Sequence, residues 1–314
     1  MTCFWPLPAR KSICKQSGLI EVKVMKRSDV NRSEFSVSCG QCLGCRLERS
    51  RQWAMRCMHE AELHEENSFL TLTYNDENRP ASVQVKDVQT FLKALRNKLD
   101  PKKVRFYACG EYAPIYDPYG RVLKKTLGKA HYHMILFGHD FNDKYHWKTK
   151  GDHKLYRSEE LESLWKLGHA IIGTVTFESA AYVARYICKK FLGGTKKEKM
   201  NHYKGKKDEF TTMSRGGNSK DNKGGIGYGW IKKYCKSVYP SDRVIIKGKE
   251  CMPAKYYDKI FDNLDTEEFI KIKKEREEKA EAKKEDNTQY RLEVKEKVKE
   301  SQITLTKTHE RELE

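Results

Sequence analysis

The chain has 314 residues, of which 38% are hydrophobic and 34% charged, and its formal net charge is +18. This length allows one large domain or two small ones, and the composition supports an apolar core beside long polar stretches. No run approaches the ~18 apolar residues of a membrane-spanning helix, and no signal peptide is recognisable. We therefore expect a cytosolic protein that has no membrane association.

The positive charge is concentrated before the C-terminal segment. Residues 265–314 carry a net charge of −2, which leaves +20 on the rest of the chain. So basic a body predicts an anionic partner, most simply nucleic acid. Aromatic residues make up 11% of the chain and would supply stacking surfaces for unpaired bases. The alternative is a soluble protein whose surface happens to be basic.

The first motif in chain order is a cysteine cluster, CGQCLGC at residues 39–45. Two CxxC steps share one cysteine, a spacing that would supply three thiolates (Cys39, Cys42 and Cys45) to a structural Zn²⁺. Candidates for a fourth ligand are Cys3, Cys14, Cys57 and His59. A turn with reduced thiols and an iron–sulfur cluster are the alternatives.

Hydrophobic periodicity predicts alternating helices and strands beyond the cysteines. The predicted helices cover residues 46–66, 88–99 and 159–167, with a fourth that is capped by Ser179 and ends near residue 193. The predicted strands cover residues 68–74, 103–107, 130–138 and 170–177. The strands around residues 105 and 135 are interpreted as antiparallel neighbours.

These elements divide the chain into four segments. They are a cysteine-rich segment with a basic helix (1–66), a catalytic core (67–195), a Gly/Lys-rich extension (196–262) and a charged helical or disordered tail (263–314). The lysines, tyrosines and Trp230 of the extension are typical of a flexible loop that contacts DNA.

Two histidines open the apolar run AHYHMILFG at residues 130–138. Because side chains alternate along a strand, His131 and His133 point the same way and can share a divalent ion. Glu111 lies near the end of the neighbouring strand and is the candidate third ligand. The alternative is a pair of histidines that are hydrogen-bonded at a sheet edge.

A second chemical motif is YVARYICKK at residues 182–190. On a helix, Tyr182, Tyr186 and Lys189 share one stripe. A metal ion would neutralise charge on a phosphodiester, and together with Lys189 it would favour the phenolate, which attacks to give a covalent tyrosyl–DNA link. Two tyrosines allow two such transfers in succession. Aromatic packing is the alternative for these tyrosines.

The order of these motifs resembles the two-tyrosine HUH endonucleases of rolling-circle replication. The run FLTLT at residues 69–73 is similar to the first motif of that superfamily. The similarity is closer to the replication initiation proteins of the gokushovirus branch of the microviruses. The segments that carry it are residues 39–46, 110–112, 131–138, 182–190, 209–215 and 253–259.

The resemblance implies an α+β fold, with a central antiparallel sheet of about five strands and flanking helices. It implies nicking of the plus-strand origin with Mg²⁺ or Mn²⁺, a 5′-phosphotyrosine link, a 3′-OH primer and later religation of the circular single strand. Single-stranded and origin DNA would be the substrates, with host helicase and DNA polymerase as partners in the host bacterial cytoplasm. No Walker A motif is present to replace the helicase. Tyr132 departs from the usual aliphatic residue, but it would point away from the metal.

Other interpretations remain at this stage. Plasmid initiators, relaxases and transposases belong to the same superfamily, although relaxases often carry the tyrosine near the N-terminus. A non-catalytic, zinc-dependent nucleic-acid-binding protein is the alternative from another class.

Overall fold

A computed structural model describes residues 3–13, 20–116, 122–189, 196–215 and 224–312. The chain folds into two compact units, Met1–Arg49 with Lys273–Glu314, and Ser50–Ile272. The strands are β1 (Leu7–Ile13), β2 (Ile20–Val24), β3 (Phe35–Val37), β4 (Asn67–Tyr74), β5 (Arg105–Tyr116), β6 (Val122–Phe137), β7 (Tyr145–Lys150), β8 (His153–Arg157), β9 (Gly168–Gly173), β10 (Phe210–Met213), β11 (Val244–Ile246) and β12 (Lys249–Cys251). The α-helices are α1 (Leu43–Ala61), α2 (Val85–Leu99), α3 (Glu159–Leu164), α4 (Phe177–Lys189), α5 (Lys196–Tyr203), α6 (Tyr228–Val238), α7 (Lys255–Leu264), α8 (Thr266–Glu281) and α9 (Gln289–Glu312).

The larger unit is built on one antiparallel sheet of seven strands in the order β10-β5-β6-β4-β9-β8-β7. This confirms the predicted α+β class and central antiparallel sheet, but the sheet has seven strands instead of about five. The additions lie at the edges, where β10 pairs with β5 and the β7–β8 hairpin extends the opposite side. All six residues of β7 are exposed, so the hairpin lacks the apolar alternation that reveals a strand in a sequence.

One face of the sheet is covered by α2 and α3. Leu70 and Met134 on the strands, Leu92 on α2 and Trp165 after α3 belong to one buried apolar cluster. Tyr132 also lies on this face, and its hydroxyl donates to the carbonyl of Gln84 at 3.1 Å. As predicted, it points away from His131 and His133.

The opposite face packs against α1 and α4. Here Cys57 of α1 and Val183 of α4 are fully buried with Ile135 of β6 in a second apolar cluster. These helices cover the β5 and β6 part of the face, and the cluster fixes α4 over the strand that carries the two histidines.

The start of α4 differs from the prediction that Ser179 is its cap. The helix begins at Phe177, and Thr176 and Ser179 form a capping box: the Thr176 N–H donates to Ser179 Oγ at 2.8 Å, and the Ser179 N–H donates to Thr176 Oγ1 at 3.1 Å. Ser179 therefore occupies the third helical position, and the preceding strand β9 ends at Gly173.

Trp230 was expected in a flexible DNA-contacting loop, and that interpretation is wrong. Trp230 lies in α6, is 8% exposed and stacks on His59 with ring centroids 3.5 Å apart. Its indole N–H donates to Glu62 at 2.6 Å. The indole is therefore part of the core and cannot stack on a base.

The C-terminal segment is helical in its described part. Phe269 and Ile272 of α8 are buried in an apolar cluster with Phe261 of α7. None of the helices in the described ranges combines the length and apolar character that crossing a bilayer requires.

Candidate functional site

Neighbouring strands bring the predicted metal ligands together. In the β5–β6 ladder Glu111 stands directly opposite His131, and His133 follows two residues later on the same face. The Glu111 Oε1 atom lies 2.8 Å from His131 Nε2 and 3.1 Å from His133 Nε2. All three ligand atoms fall within 4.8 Å of one another, so the predicted triad is compatible with a metal ion.

The outer nitrogen of each imidazole has its own partner. His131 Nδ1 lies 3.3 Å from the Lys129 carbonyl oxygen, which can only accept, so this nitrogen carries the proton and Nε2 is left for a metal. His133 Nδ1 lies 3.0 Å from Thr71 Oγ1. Such outer partners fix the ring orientation of metal-binding histidines.

The carboxylate of the triad is buried, with Glu111 only 2% exposed. Burial alone would raise the pKa of Glu111, but the imidazoles of His131 and His133 outweigh it and hold this pKa below its ordinary value. The carboxylate therefore stays charged, as a metal ligand must.

Tyr182 lies beside this triad. Its ring stands edge-on to that of His133, with centroids 5.0 Å apart, and Tyr182 is 38% exposed. The neighbouring turns of α4 hold it there, because Val183 and Ala184 are fully buried and Ser50 donates to the Ala181 carbonyl at 3.1 Å. The phenol is thus fixed in place and open to solvent.

Two other predicted residues are only partly covered by the structure. Tyr186 and Lys189 lie on the helical backbone of α4, but their side chains are outside the described residues. One and about two turns after Tyr182, they share its helical stripe by spacing alone. Their roles remain predictions.

Thr71 and Phe69 of β4 were not singled out as site residues from the sequence. Thr71 stands opposite His133 in the β4–β6 ladder, and Phe69 stacks on His133 with centroids 5.7 Å apart. The signal that would have found them is the spacing of the FLTLT run, which puts residues 69, 71 and 73 on the face that carries the histidines.

A second group of metal-ligating side chains lies in the smaller unit. The Sγ atoms of Cys3, Cys39, Cys42 and Cys45, here called the four-cysteine cluster, all fall within 4.8 Å of one another. Of the candidate fourth ligands, Cys3 joins the three predicted cysteines. Cys57 is buried under the sheet and His59 is stacked on Trp230, so both are excluded, while Cys14 lies outside the described residues.

Comparison with known proteins connects this site to a family. The family model of the replication-associated protein ORF2 matches residues 67–191, which contain the triad and both tyrosines. No solved structure is similar to the chain.

Three phage proteins are similar over more of the chain. Replication-associated protein VP4 of Bdellovibrio phage phiMH2K is 30% identical over 242 residues, which cover 74% of this chain and 69% of VP4. Replication-associated protein ORF4 of Chlamydia phage 1 is 34% identical over 182 residues, covering 52% of this chain and 41% of ORF4. Replication-associated protein ORF2 of Spiroplasma virus 4 is 29% identical over 308 residues, covering 88% and 86%. This chain therefore belongs to the family of replication-associated proteins of small phages, the replication initiators of the microvirus type.

Proposed function

We propose that this chain is an HUH endonuclease that starts rolling-circle replication by attacking a phosphate of the plus-strand origin with a tyrosine. The observation that carries the proposal is the position of Tyr182, whose ring centroid is 5.0 Å from that of His133 in the Glu111–His131–His133 triad. A phenol packed only for its bulk would not need to be 38% exposed beside three ligand atoms.

The donor set of the triad fits a catalytic divalent ion. One carboxylate oxygen and two imidazole nitrogens suit Mn²⁺, and they suit Mg²⁺ less well because imidazole is the softer ligand. When bound, the ion would neutralise charge on the scissile phosphate. Thr71 and the Lys129 carbonyl would keep the two imidazoles oriented.

The cleavage step uses the phenol of Tyr182. Its proton passes to water, which reaches it because the side chain is partly exposed. The phenolate oxygen then bonds to phosphorus and the bond to the 3′ oxygen breaks. The 3′ oxygen takes up a proton and becomes the 3′-OH primer, and the phosphate stays on the tyrosine as a 5′ link. Because the ordinary pKa of a phenol is ~10, a nearby cation such as Lys189 would assist the first step.

Religation reverses this chemistry. A 3′-OH attacks the phosphotyrosine, the bond from phosphorus to the phenol oxygen breaks, and the tyrosine regains its proton. The 5′ link conserves the phosphodiester bond energy, so joining needs no ATP. Tyr186, one turn further along α4, would cleave the regenerated origin while Tyr182 still holds the first end.

The sheet beside the triad offers a surface for the single strand. Leu155 and Phe69 approach Gly173 from the same side, so Leu155 lies on the face of His133, and Lys148 stands opposite Leu155 in the β7–β8 hairpin. Trp147 is 42% exposed in the same strand, with the Lys148 ammonium 4.3 Å from its ring centroid.

Lysines beside an exposed aromatic ring are the features that bind single-stranded DNA. Four strand spacings of ~4.8 Å put β7 about 19 Å from the histidine strand, so an extended strand of DNA would reach both. Opening the duplex and extending the primer would fall to the host helicase and DNA polymerase in the bacterial cytoplasm.

The proposal is tested with single-stranded fragments that tile the genome encoding this chain, each labelled at either its 5′ or its 3′ end. With Mn²⁺, we expect the 3′ label of one fragment to migrate with the protein on a denaturing gel. The 5′ label should appear in a shorter oligonucleotide that a polymerase can extend. Stable binding without any covalent adduct under Mg²⁺ or Mn²⁺ would instead indicate a non-catalytic DNA-binding protein.

A further inference from the structure

We propose that the four-cysteine cluster binds one structural Zn²⁺ through four thiolates, with Cys3 as the ligand that the CGQCLGC motif lacks. This site goes beyond the proposed nicking activity and is independent of it.

The distances between the sulfurs match a tetrahedron around one ion. Zn–S bonds of ~2.3 Å in a tetrahedron put neighbouring sulfurs about 3.8 Å apart. Cys3 and Cys42 are 3.8 Å apart, and Cys39 and Cys45 are 4.0 Å apart. A disulfide would need about 2.05 Å. In a cluster of several irons each cysteine binds a different iron, which would spread the sulfurs further than the 4.8 Å limit seen here.

Backbone N–H groups are directed at the sulfurs. The N–H groups of Cys42 and Cys45 point at the sulfur three residues earlier, at 3.3 and 3.5 Å. The N–H of Cys39 donates to Cys3 Sγ at 3.3 Å, and the N–H of Phe4 donates to Cys42 Sγ at 3.4 Å. Donors aimed at sulfur stabilise thiolates and orient metal ligands. The last two bonds also join segments 36 and 38 residues apart.

The position of CGQCLGC at the start of α1 adds to this effect. Cys42 directly precedes the helix and Cys45 lies in its first turn, where the positive end of the helix dipole favours negative charge. Gly40 takes a left-handed φ of +74°, which lets the chain turn back between the first two cysteines.

The surrounding segment has little else to hold it. Among the described residues before residue 50, only Phe4, Pro8, Ala9 and Gly44 are buried. Strand β2 presents Val22 and Val24 to solvent. Small sheets without an apolar core commonly depend on a metal or disulfides. We infer that zinc supplies this stabilisation by linking the N-terminus to the start of α1.

The decisive experiment needs no substitution in the cluster. Zinc is measured by mass spectrometry of the elements in purified full-length protein carrying His131→Ala and His133→Ala, so that metal bound at the histidines is not counted. Iodoacetamide alkylation is then mapped by peptide, before and after zinc is stripped with a chelator. Cys235 and Cys251 are the matched controls, because they are free and half-buried like the cluster.

We expect one zinc per chain. The four cysteines of the cluster should be alkylated at least ten-fold more slowly than Cys235 and Cys251 until zinc is stripped, and as fast afterwards. Cys3→Ser should lower the zinc retained against the chelator by more than half, whereas Cys251→Ser should leave it unchanged. Protein without zinc, bound iron in its place, or equal alkylation of all six cysteines before stripping would overturn the proposal. Nicking by the wild-type protein has no bearing on any of these readings.

Discussion

Tyr182 and His133 lie edge to face, with ring centroids 5.0 Å apart and ring planes at 85°. They are 49 positions apart in the sequence and belong to different elements, α4 and β6. The helix is fixed against that part of the sheet by Val183 and Ala184, so the phenol stays next to the ligand group rather than meeting it by chance. Substitutions in the ligand group, its supports and the DNA surface should therefore have separable effects.

Replacing His133 by alanine should separate cleavage from binding. We expect His133→Ala to lower nicking at saturating DNA at least 100-fold, because one of three metal ligands is lost. Affinity for single-stranded DNA should change less than two-fold, since it comes mainly from phosphate contacts elsewhere. Nicking gels and fluorescence anisotropy measure the two quantities. His202→Ala, on α5, serves as the control, and an equal loss of binding and cleavage in His133→Ala would contradict the assigned role.

Thr71 is expected to act through His133. Thr71→Val keeps the shape of the side chain but removes the hydroxyl 3.0 Å from His133 Nδ1. Losing such an outer partner typically costs about 10- to 100-fold in metal affinity or activity. We therefore expect the Mn²⁺ concentration for half-maximal nicking to rise by that factor, with an unchanged KM for DNA.

Thr73→Val is the matched control for this prediction. It lies on the same strand and face, but its hydroxyl donates to the His169 carbonyl at 3.1 Å instead of to a histidine ring. Equal effects of the two substitutions would show that only the strand, and not the ring orientation, had been disturbed.

The β7–β8 hairpin is expected to hold the single strand. Lys148→Ala with Lys150→Ala should weaken binding about 10-fold near 0.1 M salt, and should make the slope of log K against log salt shallower by about 1.4, because each phosphate contact on a single strand contributes ~0.7. Nicking at saturating DNA should be unchanged. Lys274→Ala with Lys283→Ala removes the same charge from the C-terminal segment and should alter neither quantity. An unchanged salt slope in the hairpin variant would exclude these lysines from the DNA surface.

His59 should make the fold sensitive to acid. It is 3% exposed, and burial lowers its pKa from 6.5 to about 3. Between these values the unfolded chain binds a proton that the folded chain does not, so stability falls as pH decreases from 6.5 towards 3. One such group accounts for about 2 kcal/mol at pH 5.

The measurement for His59 is urea unfolding at pH 7 and pH 5. His59→Asn retains an oxygen that can accept from the Tyr257 hydroxyl, which lies 2.9 Å from His59 Nδ1. The difference in unfolding free energy between the two pH values should shrink in this variant by about 2 kcal/mol. A difference as large as in the wild type would assign the acid sensitivity to other groups.

The triad could be predicted because it depends on local rules. Alternation along a strand puts His131 and His133 on one face, and antiparallel pairing of consecutive strands puts Glu111 opposite them. The same alternation placed Tyr132 in the core on the other face. Glu111 needed only the correct neighbour strand, since β5 and β6 follow each other in the chain.

Features that depend on distant contacts were not predictable in this way. Trp230 follows a glycine-rich run that is typical of a loop, yet it is buried against His59, 171 positions earlier. The choice of Cys3 among several possible fourth ligands depends on how β1 and β3 pair, which cysteine spacing does not encode. The β7–β8 hairpin was missed because β7 is exposed on both faces.

The central claim is that Tyr182, beside the triad, becomes linked to the 5′ phosphate of the cleaved strand. The most direct measurement is peptide mapping by mass spectrometry of the covalent adduct formed with Mn²⁺, in the wild type, Tyr182→Phe, Tyr186→Phe and the double variant. We predict a nucleotide mass on the peptide at Tyr182 in the wild type and in Tyr186→Phe, and no adduct in the double variant. An undiminished adduct in the double variant, or a link to a residue outside α4, would contradict the account.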